Sequence, residues 1–101
     1  MNGQSDTNVI EREKVVIELP GKYNVILHND NVTPMGFVIE ILVNVFSMDR
    51  TNATRLMLDI HENGSGIAGT YIKSIADSKA TIVREVSMKA NYPLSVTVEK
   101  A

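Results

Sequence analysis

One segment of the sequence is too apolar to form an ordinary surface helix. The pattern predicts a helix from residue 34 to about residue 47, with its polar positions at spacings of four, four and three: Gly36, Glu40, Asn44 and Ser47. Nearly every other position is apolar, so the polar face is a single narrow stripe. Such a helix has to be covered on two sides. We therefore expect a sheet against one side and a second helix or a ligand against the other.

The segment before this helix is rich in residues that form turns and start helices. A stretch that alternates like a strand, residues 23–28, is followed by three turn formers, Asn29, Asp30 and Asn31. Thr33 is placed to cap the helix with its hydroxyl, and Pro34 to occupy the first helical position. Polar groups then converge on the positive end of a helix, beside the flexible apolar side chain of Met35. This junction predicts a small polar recognition site with an apolar neighbour.

The remaining elements follow from the same patterns. We expect a second helix over about residues 50–63, with Asp49 as its N-cap and Gly64 in the left-handed conformation at its end. A strand over residues 66–71, a third helix to about residue 91 and a closing strand over residues 94–98 complete the order βααβαβ. The residues assigned to the inner face of the third helix are Ile75, Ala76, Ile82, Val83 and Val86.

Length and composition limit the class of protein. With 101 residues and 44% apolar residues, the chain can form one hydrophobic core. We expect this domain over residues 21–101, after a flexible polar tail over residues 1–20. The 10 Lys and Arg residues balance 12 Asp and Glu residues without a basic stripe, which argues against nucleic acid as a partner. There is no cysteine, secretory signal or apolar run long enough to cross a membrane, so we expect a cytoplasmic protein without a membrane partner.

Motifs that would indicate an enzyme or a cofactor are incomplete. Residues 64–69 match the letters of GxGxxG, but the predicted helix comes before them and the strand after, the reverse of a dinucleotide site. His61 and Glu62 begin an HExxH motif that has no second histidine, and His28 is the other histidine of the sequence. We therefore expect a protein with no catalytic residues, no metal and no cofactor.

A binding site arises if the junction meets the end of the second helix. Asp30 would supply a negative charge, Asn29 an amide oxygen and a neutral His61 a ring-nitrogen acceptor, which suits an ammonium group with three donors. Thr33 would hold the first peptide group of the ligand. The apolar residues that would lie beside them are Met35, Val38, Met57 and Ile60. This set fits the free N-terminal residue of a peptide, although Asp30 alone is also a turn former, Met57 a core residue and His61 a cation at a helix end.

Several segments of the sequence carry a resemblance to a known family: residues 23–35, 53–61, the turn at Gly64, 75–79 and 93–94. The most specific features are Asn-Asp-x-x-Thr-Pro-Met over residues 29–35 and Met-Leu-x-x-His over residues 57–61. Together these segments resemble the ClpS family, adaptors that bind N-degrons and hand them to a ClpA- or ClpC-type AAA+ unfoldase with its ClpP peptidase. The resemblance covers about residues 20–101. It implies an α+β fold, a small antiparallel three-stranded sheet packed with three helices, similar to the C-terminal domain of the ribosomal stalk protein.

The resemblance also implies a role for individual residues. Asn29, Asp30 and His61 would hold the α-ammonium group of the substrate, and Thr33 would fix its backbone. The first side chain, which in this family is Leu, Phe, Tyr or Trp, would be enclosed by Met35, Val38, Met57, Ile60 and Leu94. Met35 would exclude β-branched side chains, Lys79 would contact the unfoldase, and the tail would enter its pore. We expect a monomer without a cofactor.

The sequence departs from the family pattern at three positions. Asn31 stands where a second acidic residue is usual, and Gly36 replaces an acidic residue in the first turn of the helix. Ser74 takes a position that often carries Glu beside the unfoldase contact. Two alternatives stay open at this point: a decoy that binds N-degrons without delivering them, and an interaction module of the ribosomal stalk type.

Overall fold

The computed structural model describes residues 21–101, so the prediction of a flexible tail over residues 1–20 lies outside the described residues. The described elements are β1 (Lys22–His28), α1 (Met35–Asn44), α2 (Arg50–Asn63), β2 (Ser65–Ile72), α3 (Lys73–Lys89) and β3 (Ser95–Lys100). Their order and the α+β class confirm the prediction. Within residues 21–101, no helix combines the length and the apolar character needed to cross a bilayer.

The three strands form one antiparallel sheet with β1 in the centre, in the order β2-β1-β3. One face of β1 carries Val25 and Leu27, which are fully buried, as the alternation of this strand predicts. The pairing with β2 shifts after Val25, where Ala68 is an extra residue on the β2 side. At Gly66 of β2 an added Cβ would lie 2.8 Å from Cγ1 of Ile60, so the glycine allows α2 to pack closely on the sheet.

The apolar helix α1 contributes Val38, Ile41 and Leu42 to the core and packs against α2. It begins one residue later than predicted. Pro34 is the N-cap, in an extended conformation, and no side chain caps the helix. The prediction of Thr33 as the cap was wrong, because its hydroxyl donates to a carboxylate oxygen of Asp30 instead.

The other ends of the helices show where local signals suffice. Helix α1 stops at its C-cap Val45, short of the predicted residue 47, and Ser47 has a left-handed φ of 59°. Helix α2 begins after Asp49, whose side chain accepts from the N–H of Asn52, and ends at Gly64 with φ 95°. Both α2 boundaries confirm the prediction.

The inner face of α3 differs from the prediction at three of the five residues that were assigned to it. The residues that face the sheet are Ala76, Ala80, Val83 and Ser87, at spacings of four, three and four. Of the five residues predicted to lie inside, Ala76 and Val83 are buried, whereas Ile75, Ile82 and Val86 are 44%, 45% and 39% exposed. Small side chains let the helix axis approach the sheet, so the small residues take the inner face and the larger isoleucines are displaced.

Candidate functional site

A cavity of about 330 Å³ lies where the β1–α1 junction, the start of α1 and the last turn of α2 meet. All nine residues that the sequence predicted to bind a ligand line it: Asn29, Asp30, Thr33, Met35, Val38, Met57, Ile60, His61 and Leu94. Four further lining residues were not assigned to the site from the sequence: His28, Asn31, Val32 and Pro34. They lie in or directly beside the junction, so their position in the chain was the available signal.

The polar end of the cavity is organised by the carboxylate of Asp30. Its Oδ1 accepts from the backbone N–H groups of Val32 and Thr33, both at 2.7 Å, and its Oδ2 accepts from the Thr33 hydroxyl at 2.8 Å. Partial burial raises the pKa of this carboxyl, but the three hydrogen bonds outweigh burial and bring the pKa below its ordinary value of 3.8. The group is therefore a carboxylate at neutral pH, held in one orientation by its own loop.

A backbone hydrogen bond joins the junction to the end of α2. The N–H of Asn29 donates to the carbonyl of Gly64 over 2.8 Å. Because Gly64 ends α2 in the left-handed conformation, its carbonyl can turn toward the junction while the last helical turn stays intact. This bond brings the exposed His61, in the last turn of α2, to the same cavity as Asp30.

The apolar end of the cavity is closed at its floor and open at its edge. Val38, Met57, Ile60 and Leu94 are all buried, and the most exposed of them, Val38, is 7% exposed. Met35 is 44% exposed and Val32 is 64% exposed, so these two side chains lie at the mouth. Two methionines from different helices can change rotamer at low cost, which makes the wall adaptable to ligand shape.

His28 contributes to the wall at the end of β1, but its ring is engaged elsewhere. Its Nε2 lies 2.8 Å from the Thr97 hydroxyl on β3. The contact therefore ties the central strand to the edge strand. Within residues 21–101 there is no group of three or more His, Cys, Asp and Glu side chains that could hold a metal ion.

Comparison with known proteins identifies the family. The family model described as ATP-dependent Clp protease adaptor protein ClpS matches residues 18–97. The chain belongs to the ClpS family. The ClpS adapter of Clostridium acetobutylicum is 47% identical over 93 residues, which are 92% of this chain and 90% of that protein. The ClpS adapter of Vibrio cholerae is 43% identical over 96 residues, which are 95% of this chain and 91% of that protein.

A solved ClpS structure has the same fold. The structure of Agrobacterium tumefaciens ClpS2 bound to L-phenylalaninamide matches with a TM-score of 0.78 at 34% identity. The match covers 82% of this chain and all of that chain. It supports the ClpS architecture of three helices on an antiparallel three-stranded sheet. The family description names its members as adaptors of an ATP-dependent Clp protease.

Lys79, predicted to contact the unfoldase partner of ClpS proteins, does not line the cavity. Its Nζ donates to the carbonyl of Val45 at the end of α1 over 2.7 Å, and lies 5.5 Å from the ring centroid of Tyr71 and 6.0 Å from that of Phe46. The ammonium group therefore fastens α3 to the end of α1. A contact with a partner at this position stays a prediction.

The three departures from the usual ClpS pattern lie on the surface. Asn31 is exposed at the cavity, which leaves Asp30 as the one carboxylate among the lining residues. Gly36 is exposed with open space around its Cα, and the first turn of α1 has no acidic residue. Ser74 is exposed in the first turn of α3. None of the three substitutions disturbs the packing of the cavity wall.

Proposed function

We propose that this ClpS-family adaptor binds proteins through their free N-terminal residue and hands them to a ClpA- or ClpC-type unfoldase for degradation by ClpP in the bacterial cytoplasm. The observation that carries the proposal is a cavity with a carboxylate at one end and a closed apolar floor at the other. The ligand of Agrobacterium ClpS2, L-phenylalaninamide, has the matching chemistry, because it joins a free amino group to an aromatic side chain.

The hydrogen bonds inside the junction leave Asp30 one acceptor position for a ligand. A carboxylate has about four lone-pair positions, and three are used by Val32 and Thr33. The remaining position, on Oδ2, is available to one N–H of an ammonium group. The side-chain oxygen of Asn29 and a ring nitrogen of neutral His61 supply the other two acceptors, so the three donors of the ammonium group have three partners.

The hydrogen bond between Thr33 and the ligand can have only one direction. Its hydroxyl hydrogen is given to Asp30 Oδ2, so the oxygen of the hydroxyl can only accept from the ligand. The group of a peptide that can donate beside the α-ammonium is the N–H of the second residue. Thr33 therefore recognises a peptide bond after the first residue, which a free amino acid lacks.

The apolar floor determines which first side chain is accepted. A volume of about 330 Å³ is at the lower end of the range for ligand sites and suits one large side chain. We assign this subsite to Leu, Phe, Tyr or Trp, with Val38, Met57, Ile60 and Leu94 around the side chain. The half-exposed Met35 restricts the mouth, and branching at Cβ would collide with it there.

The test is fluorescence anisotropy with labelled peptides that begin with free Leu, acetylated Leu or free Ser. Wild type is expected to bind free Leu alone, because acetylation removes the charge and Ser leaves the floor empty. Asp30→Ala should abolish this binding. Asp49→Ala is the matched control, since Asp49 also precedes a helix and accepts from a backbone N–H, that of Asn52, but lies outside the cavity. Equal binding of all three peptides by wild type would refute the proposal.

Delivery is tested separately from binding. We assign delivery to the predicted tail, so a variant that lacks residues 1–17 should keep its affinity for free-Leu peptides. With a ClpA- or ClpC-type unfoldase and ClpP, it should fail to promote degradation of a fluorescent substrate that begins with Leu. A wild-type protein that binds such a substrate and only slows its degradation would indicate the decoy instead.

A further inference from the structure

Two aromatic residues outside the cavity connect two parts of its wall. Phe37 on α1 and Tyr92, which precedes β3, make an edge-to-face contact with ring centroids 4.9 Å apart and planes inclined by 68°. Neither residue lines the cavity. However, Phe37 is adjacent to Val38, and Tyr92 lies two residues before Leu94. Val38 and Leu94 both belong to the apolar floor, so the aromatic contact joins the two segments that carry them.

The start of α1 packs through Val38 on the core, but it has few local interactions that could fix its position. It has neither a side-chain cap nor an acidic residue in its first turn. The N–H groups of Phe37 and Val38 bond to the carbonyl of Pro34 at 3.0 and 3.3 Å. These bonds close the first helical turn, but they do not relate the helix to β3. The contact between Phe37 and Tyr92 does, which makes it a determinant of where this part of the wall lies.

The backbone at Tyr92 is held by a turn and by a hydrogen bond to α3. Asn91 has a left-handed φ of 63°, which reverses the chain after α3. The N–H of Tyr92 donates to the carbonyl of Ser87 over 2.9 Å, and Ser87 is buried on the inner face of α3. The backbone of Tyr92 is thus fixed to the last turns of α3, and from there its ring contacts Phe37 on α1.

We propose that Phe37 and Tyr92 are a positioning pair that sets the separation of α1 from Leu94 and thereby the size of first side chain that the cavity accepts. The inference rests on the proposed function and adds a determinant of selectivity outside the binding residues. Without the aromatic contact the start of α1 is free to move away from Leu94, and the floor widens. A wider floor loses contact with Leu but can still surround the larger Trp.

The experiment measures selectivity with the full chain. Anisotropy titrations use three peptides that differ only in a free N-terminal Leu, Phe or Trp, with wild type, Tyr92→Leu and Phe37→Leu. Both variants keep an apolar side chain and lose the ring contact. We expect the ratio of the dissociation constant for Leu to that for Trp to rise by up to roughly fivefold, because the energy of one edge-to-face pair limits how strongly the contact can bias the position of α1. A variant that is partly unfolded loses active protein for all peptides alike, so the ratio reports the shape of the floor.

Two controls separate positioning from general packing. Tyr92→Phe keeps the ring, so it should retain the wild-type ratio. Tyr71→Leu removes an aromatic contact at the other end of α1, where the ring of Tyr71 lies 6.5 Å from that of Phe46, and should leave the ratio unchanged. If wild type prefers free Leu over acetylated Leu but Tyr92→Leu keeps the wild-type ratio, this inference alone fails. If wild type shows no such preference, the proposed function fails and this inference fails with it.

Discussion

Two aspartates precede two helices in this protein, and their carboxylates have different roles. Asp49 accepts from the backbone N–H of Asn52 over 2.7 Å and so caps α2 directly. Asp30 lies five residues before α1 and accepts from Val32 and Thr33 instead, so it folds a loop. The carboxylate of Asp49 satisfies a helix end, whereas that of Asp30 leaves one acceptor position beside a cavity. The comparison shows how a local turn can hold a charge beside a cavity while the adjoining helix has no side-chain cap.

The two helix starts differ accordingly in what supports them. Helix α2 has its cap within its own sequence, so its start can form from local interactions. Helix α1 has no side-chain cap, and its first turn contains no acidic residue. Its start depends on tertiary packing, including the contact of Phe37 with Tyr92. The helix that begins at the cavity thus has less local support at its start than α2 has.

The largest expected effect comes from replacing Asp30 with asparagine, and the same replacement of Asp49 is its control. Asp30→Asn keeps an oxygen that can accept from the loop but loses the charge and an acceptor for the ammonium group. We expect free-Leu peptides to bind roughly 10- to 150-fold more weakly, since a hydrogen bond to a charged group contributes about 1.5–3 kcal/mol. Asp49→Asn should leave the affinity unchanged, because asparagine is an equally good N-cap. Anisotropy titrations of both variants make the comparison, and an equal loss in both would remove the distinction between the two carboxylates.

The second effect concerns the charge at position 61, in the last turn of α2. His61→Lys would place a fixed cation beside the ammonium group of the ligand. Two positive charges a few ångströms apart at a wet surface repel by about 1 kcal/mol or more. We expect free-Leu peptides to bind to this variant roughly fivefold more weakly than to wild type, as measured by anisotropy at neutral pH.

The variant His61→Gln is the control. Its amide oxygen keeps an acceptor without a charge, so this variant should bind free-Leu peptides more tightly than His61→Lys. Wild type and both variants should lose affinity above about pH 8, where the α-amino group of the peptide gives up its proton. An equal loss of affinity in both variants at neutral pH would assign the effect to the shape of the side chain and not to its charge.

The third effect is a loss of stability that leaves the affinity for peptides unchanged. Asp49→Ala leaves the N–H of Asn52, in the first turn of α2, without its side-chain acceptor, and we expect the free energy of unfolding to fall by about 1 kcal/mol. The affinity for free-Leu peptides should stay at the wild-type value. Urea denaturation and anisotropy on the same preparation provide the two measurements. A reduced affinity would show that the start of α2 communicates with the cavity.

Strong local signals account for what the sequence predicted correctly in the fold. The bounds of α2 were predicted because Asp49 and Gly64 act on their own helix. The start of α1 was misassigned because Thr33 had two possible partners, the helix end and Asp30, and the pattern of residue types does not rank them. The inner face of α3 was misassigned because Ile75 and Ala76 are adjacent and hydrophobicity favours the isoleucine. The short distance between helix and sheet places the smaller alanine on the inner face, and that distance is set by the tertiary structure.

For the site, the sequence predicted which residues share a cavity but not how they are connected. The nine candidates were found from the junction, the last turn of α2 and the resemblance to ClpS proteins. The bond from Asn29 to the Gly64 carbonyl, which brings the two regions together, is between backbone groups and leaves no mark in the residue types. The same holds for Lys79, whose internal bond to the Val45 carbonyl depends on how α1 and α3 pack.

The smallest expected effect links the loop of Asp30 to acid stability. Burial raises the pKa of this carboxyl, but the hydrogen bonds from Thr33 and Val32 outweigh it, so the folded-state pKa lies below the ordinary 3.8. A group whose pKa falls on folding stabilises the protein above its unfolded-state pKa, and this contribution is lost as the pH falls through the folded-state pKa. Wild type should therefore be more stable than Asp30→Asn at pH 7, and the difference should shrink below about pH 4. We expect the difference between the two proteins in the free energy of unfolding to change with pH by less than about 1 kcal/mol, because the carboxylate is only partly buried and solvent screens it. Urea denaturation of both proteins at pH 7 and pH 3 measures it, and a difference that does not change with pH would mean that the loop binds Asp30 equally well when it is protonated.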